Sequence, residues 1–284
     1  NVRGLVATAF THRDSRAGDP DLHTHVAVAN KVQTREGKWL SIYGRVLHQY
    51  VVAASETYNT ALEHHLHALL GVRFAARGFE TLAGARSSTT GAAGKRTVRE
   101  IVGVDRALCE GWSSRRADIV KRQRELAREF SRTQGRPPTP VEAVAFAQQA
   151  NLETRDGKHE PRSEAEQREV WRREAGQVLG SQTAVARMVT AALHPGVPAQ
   201  TTVSSDWLKA MAVLVLGELE AHQATWQSWH VYAEAQRQVR DVAVPPAHVS
   251  EVVQWVVDAT QALFVNLTPE HDPIDEPDEW GLHD

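Results

Sequence analysis

Residues 10–30 read FTHRDSRAGDPDLHTHVAVAN and carry three histidines, His12, His23 and His25. On either side of the connection DSRAGDPD, the segments GLVATAFTHR and LHTHVAVANKVQ alternate β-branched or apolar residues with others, the period of a strand. Two such runs joined by Gly, Pro and Asp predict an antiparallel hairpin. Strand side chains alternate faces, so His23 and His25 share one, and pairing brings His12 beside them. Imidazole nitrogen binds divalent transition metals, and three protein ligands leave coordination positions open to a substrate oxygen or water. The competing reading is histidines satisfied by solvent or core. The chain holds 14 histidines in 284 residues, and random placement would produce H-x10-H-x-H about 0.03 times.

Working outward, VQTREGKWLSI predicts a second hairpin with Glu36 and Gly37 at its turn. From Leu47 the apolar positions step by three and four through Val51, Ala54, Tyr58 and Ala61, marking an amphipathic helix that Gly71 closes. This helix is expected to pack on the sheet, with Tyr58 on its packed stripe. In EHHLH only His64 and His67 share a helical face, and a solvated surface is the better reading of that pair than a metal site. The segment VRFAARGFETL reads as a further strand region. The loop after it contains GAAGKRT, which fails the phosphate-loop pattern because Thr89 and Arg96 stand where Gly and a hydroxyl are needed.

Farther on, WSSRRADIVKRQRELAREFSRTQGR predicts a helix capped by Ser113 or Ser114. Between Trp112 and Arg136 it holds eight basic and three acidic residues, although the whole chain has a net charge of −3. With the loop that carries Lys95, Arg96 and Arg99, its residues Arg115, Arg116 and Lys121 form a candidate nucleic-acid surface; the alternative is an ordinary solvated face. Capping boxes are expected at Thr139/Glu142, with Pro140 at the first helical position, and at Ser163/Glu166. After a linker in HPGVPAQTTVSSD, three more helices are expected around Trp207–His222, Trp229–Arg240 and His248–Phe264. The end, EHDPIDEPDEWGLHD, is acidic enough to read as a tail.

The fold class is therefore α+β: an antiparallel sheet carrying a three-histidine metal site with packed helices, followed by a mostly helical C-terminal region. The single cysteine, Cys109, excludes an internal disulfide and fits a reducing cytoplasm. No apolar run approaches the length of a membrane span, and no signal peptide is visible. The chain opens on Asn1 inside a strand-like run, so an upstream portion is expected to be missing.

THRDSRAGDPDLHTHVAVANKVQ resembles the histidine-hydrophobic-histidine (HUH) region of TrwC/TraI-type conjugative relaxases, the MobF family. The similarity continues through GKWLSIYGRVLHQYVVAASETYNTALEHHL, KRTVREIVGV, WSSRR and LETRDGKHEP, over roughly residues 1–180. It implies that His12, His23 and His25 hold a catalytic divalent ion (Mg²⁺, Mn²⁺ or similar). It also implies a substrate, single-stranded DNA at a plasmid transfer origin, with other relaxosome and conjugation proteins as further partners. The family nicks and rejoins one strand through a tyrosine joined to the 5′ phosphate, a nucleophile placed upstream of the first metal histidine and so outside this chain. Tyr43, Tyr50, Tyr58 and Tyr232 do not match it, and the Y-x-x-K of replication-initiator relatives is absent, since Ala53 and Ala61 follow Tyr50 and Tyr58. The fragment alone is expected to be inactive.

The resemblance divides the chain into a relaxase part (1–180), a helix end and linker (181–205), a helical region (206–268) and an acidic tail (269–284). Within the helical region, ATWQSWHVYAEAQRQVR is faintly similar to the entry into the helicase that follows the relaxase domain. Two other readings remain open: a three-histidine metal hydrolase of another fold, and a non-catalytic single-stranded-DNA-binding fragment. A cupin is excluded because HTHVAVANK lacks the required glutamate.

Overall fold

The computed structural model describes residues 2–76, 98–155, 157, 160, 162–195 and 202–267. Small antiparallel sheets and predominant helix make it α+β. It comprises two compact units: Asn1–Tyr43 with Gly71–Gly196, and Gly44–Leu70 with Val197–Asp284.

The first unit begins with the expected hairpin, β1 (Ala7–Asp14) against β2 (Pro20–Val28). The connection between them is tight because Gly18 adopts a φ of 88°, open to glycine at little cost, and its N–H donates to the Ser15 carbonyl. The second hairpin pairs β3 (Val32–Gln33) with β4 (Trp39–Leu40), and Gly37 lies in its turn as expected. A third pairs β5 (Phe74–Ala76) with β6 (Arg99–Ile101). The Gly/Ser/Thr-rich loop between β5 and β6, with Lys95 and Arg96, lies outside the described residues, as does the acidic tail.

Helices complete this unit: α2 (Arg106–Gly111), α3 (Ser114–Gln134), α4 (Pro140–Glu153), α5 (Glu164–Val178) and α6 (Gln182–Leu193). Both expected capping boxes form, each Ser or Thr hydroxyl accepting from the N3 backbone N–H while the N3 Glu returns to the cap N–H. Helix α3 ends on Gly135 in the left-handed region and pairs with α4 through Phe130 and Phe146, 5.5 Å apart.

The second unit is a helical cluster of α1 (Gly44–Leu70), α7 (Ser205–Glu220), α8 (Ser228–Val239) and α9 (Val249–Gln261), with a 3₁₀ turn at Pro246–His248. The three C-terminal helices appear where their periodicity places them. On α9, Val249, Val252, Val253, Val256 and Val257 fall at helical spacing and meet Val215 and Leu219 of α7 and Val231, Ala235 and Val239 of α8. Each buried aliphatic side chain contributes roughly 1.5–3 kcal/mol relative to exposure.

Helix α1 departs from expectation. Its buried residues are Ala53, Thr60, Glu63 and His64, and within the second unit it packs on α8. Tyr58 is 65% exposed, so it is not a packed residue. His64 is not solvated: Nδ1 bonds the Thr60 carbonyl and Nε2 lies 3.1 Å from the Val242 carbonyl. The physical reason is charge pairing. Glu56 meets Arg237 at 2.6 Å and also pairs with Arg240, Arg237 holds Glu234 at 2.8 Å, and the Thr60 hydroxyl donates to the Gln236 carbonyl. A face of α1 that looks polar in sequence is thereby neutralised and buried.

A three-histidine cluster on the first hairpin

The β1–β2 register sets His12 directly opposite His23, and His25 opposite Phe10 two residues along. Period-2 alternation then puts His12, His23, His25 and Phe10 on one face. The opposite face is fixed by a hydroxyl contact between Thr11 and Thr24 at 3.1 Å. The ladder is regular from Ala7 to His12 and then breaks: two residues of β2, Asp21 and Leu22, oppose the single Arg13 before Asp14 pairs with Pro20. A bulge of this kind redirects side chains next to it.

The ring centroids of His12, His23 and His25 lie 4.9–5.3 Å apart, and His25 stands edge-on to both others. One ring nitrogen from each lies within 4.8 Å of the other two. Two imidazoles on a common metal at about 2.1 Å would place their nitrogens roughly 3–3.5 Å apart, so small ring rotations close the set. His23 has its tautomer decided. Its Nδ1 is 2.8 Å from the Asp21 carbonyl, which can only accept, so Nδ1 carries the proton and Nε2 keeps its lone pair for a ligand. His12 and His25 are exposed and His23 half-buried, leaving the face open to a large substrate. Among the described residues this is the one cluster of three or more His, Cys, Asp or Glu side chains able to converge on an ion. The donor set, three neutral nitrogens with open positions, fits a divalent transition ion.

The hairpin end is held by helices. Gln167 of α5 bonds both Arg13 and Asp14, Trp171 donates its indole N–H to the Gly18 carbonyl at 2.8 Å, and the Asp19 carboxylate accepts from Ser114. Sequence reasoning missed these anchors. No local signal points to them, since each of these bonds joins residues 95 or more positions apart.

The candidate cationic residues separate into two groups. Arg99 donates to the Phe74 carbonyl and Arg115 to Asn151 Oδ1, so both are engaged within the fold. Arg122 is paired with Glu153 and Glu125, and Arg136 with Glu142. Arg116, Lys121, Arg124, Arg128 and Arg132 are exposed, and none of these five makes an ion pair among the described residues. Successive steps of three and four place Lys121, Arg124, Arg128 and Arg132 along one stripe of α3. Among the tyrosines, Tyr50 packs on Trp229 with ring centroids 5.1 Å apart, Tyr232 packs against the α7–α9 core, and Tyr43 and Tyr58 are exposed. No described helix is long and apolar enough to cross a membrane.

The TrwC relaxase family model matches residues 1–178. Among solved structures, TrwC complexed with a 27-mer DNA comprising the recognition hairpin and the cleavage site is 23% identical. That alignment covers 61% of this chain and 52% of the other, with a TM-score of 0.42. A copper-bound TrwC complex with oriT DNA is 25% identical over 61% of this chain and 50% of the other, with a TM-score of 0.43. A metal-bound complex with oriT DNA is 25% identical over 61% and 51%, with a TM-score of 0.44. The chain thus spans about half the length of the solved relatives it matches. No curated protein sequence matches it.

Proposed function

Because the chain belongs to the TrwC relaxase family, we propose that it is the metal-bearing part of a conjugative relaxase that nicks and rejoins one DNA strand at a transfer origin. The observation that carries this reading is the convergence of His12, His23 and His25 on one open sheet face. When bound there, a divalent ion supplies Lewis-acid polarisation of a phosphate oxygen and a fixed point for the scissile group. Within the chain, His12, His23 and His25 would hold the ion, the Asp21 carbonyl keeps the His23 tautomer that leaves Nε2 available, and the exposed face admits a single strand. The cationic stripe of α3, from Lys121 to Arg132 with Arg116 near its start, would meet DNA phosphates.

None of the four tyrosines present is assigned as the attacking group. Two of the four tyrosines present, Tyr50 and Tyr232, are committed to packing in the second unit.

The test is a titration of Mn²⁺ or Ni²⁺ into the wild type and into His12→Ala, His23→Ala and His25→Ala, followed by incubation with a single-stranded origin oligonucleotide. One ion should bind, each substitution should weaken it, and the isolated chain should form no covalent adduct. Equal metal affinity in all four proteins would overturn the metal site. An adduct that survives denaturant, mapped to Tyr43, Tyr50, Tyr58 or Tyr232, would overturn the assignment of the nucleophile. Metal-dependent cutting that leaves a free 5′ phosphate would favour a hydrolase in which water attacks.

A further inference from the structure

The hairpin carrying the histidines is gripped beside His12 by a buried amide. Gln167, on α5, is 6% exposed, and both ends of its side chain are used: Oε1 accepts from Arg13 Nε at 2.9 Å, and Nε2 donates to Asp14 Oδ2 at 2.6 Å. Arg13 and Asp14 are the two residues that follow His12: Arg13 sits at the point where the ladder loses register, and Asp14 makes the first pair beyond it. Across that break, Asp21 belongs to the extra residue pair of β2, and its carbonyl fixes His23 Nδ1. Two of the three histidines are therefore set by the bulge. The third, His25, is set by regular pairing with Phe10.

We propose that Gln167 is a positioning residue for the metal centre: by bridging Arg13 and Asp14 it holds the bulge that aims His12 and His23. The inference rests on the reading of the three histidines as metal ligands. The chemistry of the side chain explains the choice of residue. A primary amide accepts from a guanidinium at one end and donates to a carboxylate at the other. Glutamate at this place would keep the Arg13 bond and set a carboxylate against Asp14, leucine would satisfy neither, and asparagine is one methylene shorter. A buried amide without partners is costly, so its two bonds lock the side chain as well as the strand. Trp171, one turn along α5, bonds the Gly18 carbonyl and so anchors the connection farther from the histidines. The clamp thus has a part that touches the bulge and a part that does not.

Cu²⁺ and Ni²⁺ binding to the full chain should be measured by calorimetry, with Cu²⁺ electron paramagnetic resonance as a report on coordination geometry. The proteins compared are wild type, Gln167→Ala, Gln167→Glu, Thr139→Ala and His12→Ala. His12→Ala tests the metal reading itself: unchanged affinity there overturns that reading whatever Gln167 does. If His12→Ala weakens binding, Gln167→Ala and Gln167→Glu should lower affinity about 10-fold or more, the scale of losses at residues supporting metal ligands, and should shift the Cu²⁺ spectrum. Thr139→Ala loosens α4 at a distance from the hairpin and controls for general destabilisation; its affinity and spectrum should match wild type. Should Gln167→Ala fail to fold, Gln167→Glu carries the same test. The proposal is overturned if a folded Gln167 variant keeps both wild-type affinity and the wild-type spectrum while His12→Ala loses them.

Discussion

The carboxylate of Asp19, in the β1–β2 connection, accepts from both the hydroxyl and the backbone N–H of Ser114, at 2.6 and 3.3 Å. Ser114 opens α3, and the N-cap residue Ser113 makes no side-chain cap of its own. A hairpin residue thus performs the cap of a helix that starts 95 residues later, and its negative charge also complements the helix N-terminus. Asp19→Ala should therefore cost about 1 kcal/mol, read as a lower urea midpoint, and more than Ser113→Ala, which loses only an exposed hydroxyl bond to the Cys109 carbonyl. Equal losses in the two variants would show that Asp19 is not the cap.

Removing Glu56 tests the polar interface of α1. Its carboxylate serves both Arg237 and Arg240, and the side chains concerned are only 9–14% exposed. Breaking a buried pair from one side leaves uncompensated charge, so Glu56→Ala should destabilise the protein by roughly 3 kcal/mol in urea unfolding. Replacing Glu56, Glu63, Glu234, Arg237 and Arg240 together by apolar residues of similar size should cost less than the single change, because no member of the network is then left charged without its partner. If this combined variant is the less stable, the network contributes net energy beyond satisfying its own charges.

These two interfaces show why the sequence was readable in one place and opaque in another. His12, His23 and His25 were legible because strand alternation is a local rule, and the Gly, Pro and Asp residues of the connection fixed which strands pair. The capping boxes at Thr139 and Ser163 were legible for the same reason: each is contained in four residues. Helix α1 was not. The apolar stripe Leu47, Val51, Tyr58 is exposed, and the covered side carries Glu56, Thr60, Glu63 and His64. Hydrophobic periodicity identifies the covered face only when burial is apolar, and here the compensating arginines lie some 180 residues away. Gln167 escaped notice similarly, because its partners Arg13 and Asp14 are brought to it by folding alone.

Glu142 should titrate abnormally. The Arg136 guanidinium, aided by the Thr139 backbone N–H and hydroxyl, holds its carboxyl at about 2 instead of the ordinary 4.5. A lowered folded-state value means the stabilisation is fully present above the unfolded value and is lost as pH falls through the folded one. The α3–α4 connection should accordingly hold its helix content down to pH 4.5 and loosen between there and about 2. Carboxyl NMR titration checks the midpoint, and Arg136→Ala should move it upward. A midpoint near 4.5 in the wild type would show that the Arg136 pair does not persist in solution.

The final expectation concerns the cationic stripe of α3, where the fold separates engaged from available charge. Arg115, Arg122 and Arg136 are tied to Asn151, Glu153 and Glu142, while Lys121, Arg124, Arg128 and Arg132 project without an ion pair among the described residues. Only the second group can release counterions from a nucleic acid without first breaking a bond inside the protein. Each single-strand phosphate contact contributes about 0.7 to the slope of log affinity against log salt. Reversing all four charges to glutamate should thus reduce that slope by about 3 for an unstructured oligonucleotide and weaken binding most at low salt. Arg122→Ala serves as the contrast: it should lower stability slightly through the lost Glu153 pair and leave the slope unchanged. Because these side chains are exposed and a helix accepts glutamate readily, circular dichroism should show an intact fold. An unaltered salt slope in the four-site variant would place the DNA path elsewhere; a changed slope in Arg122→Ala would show that its ion pairs open on binding.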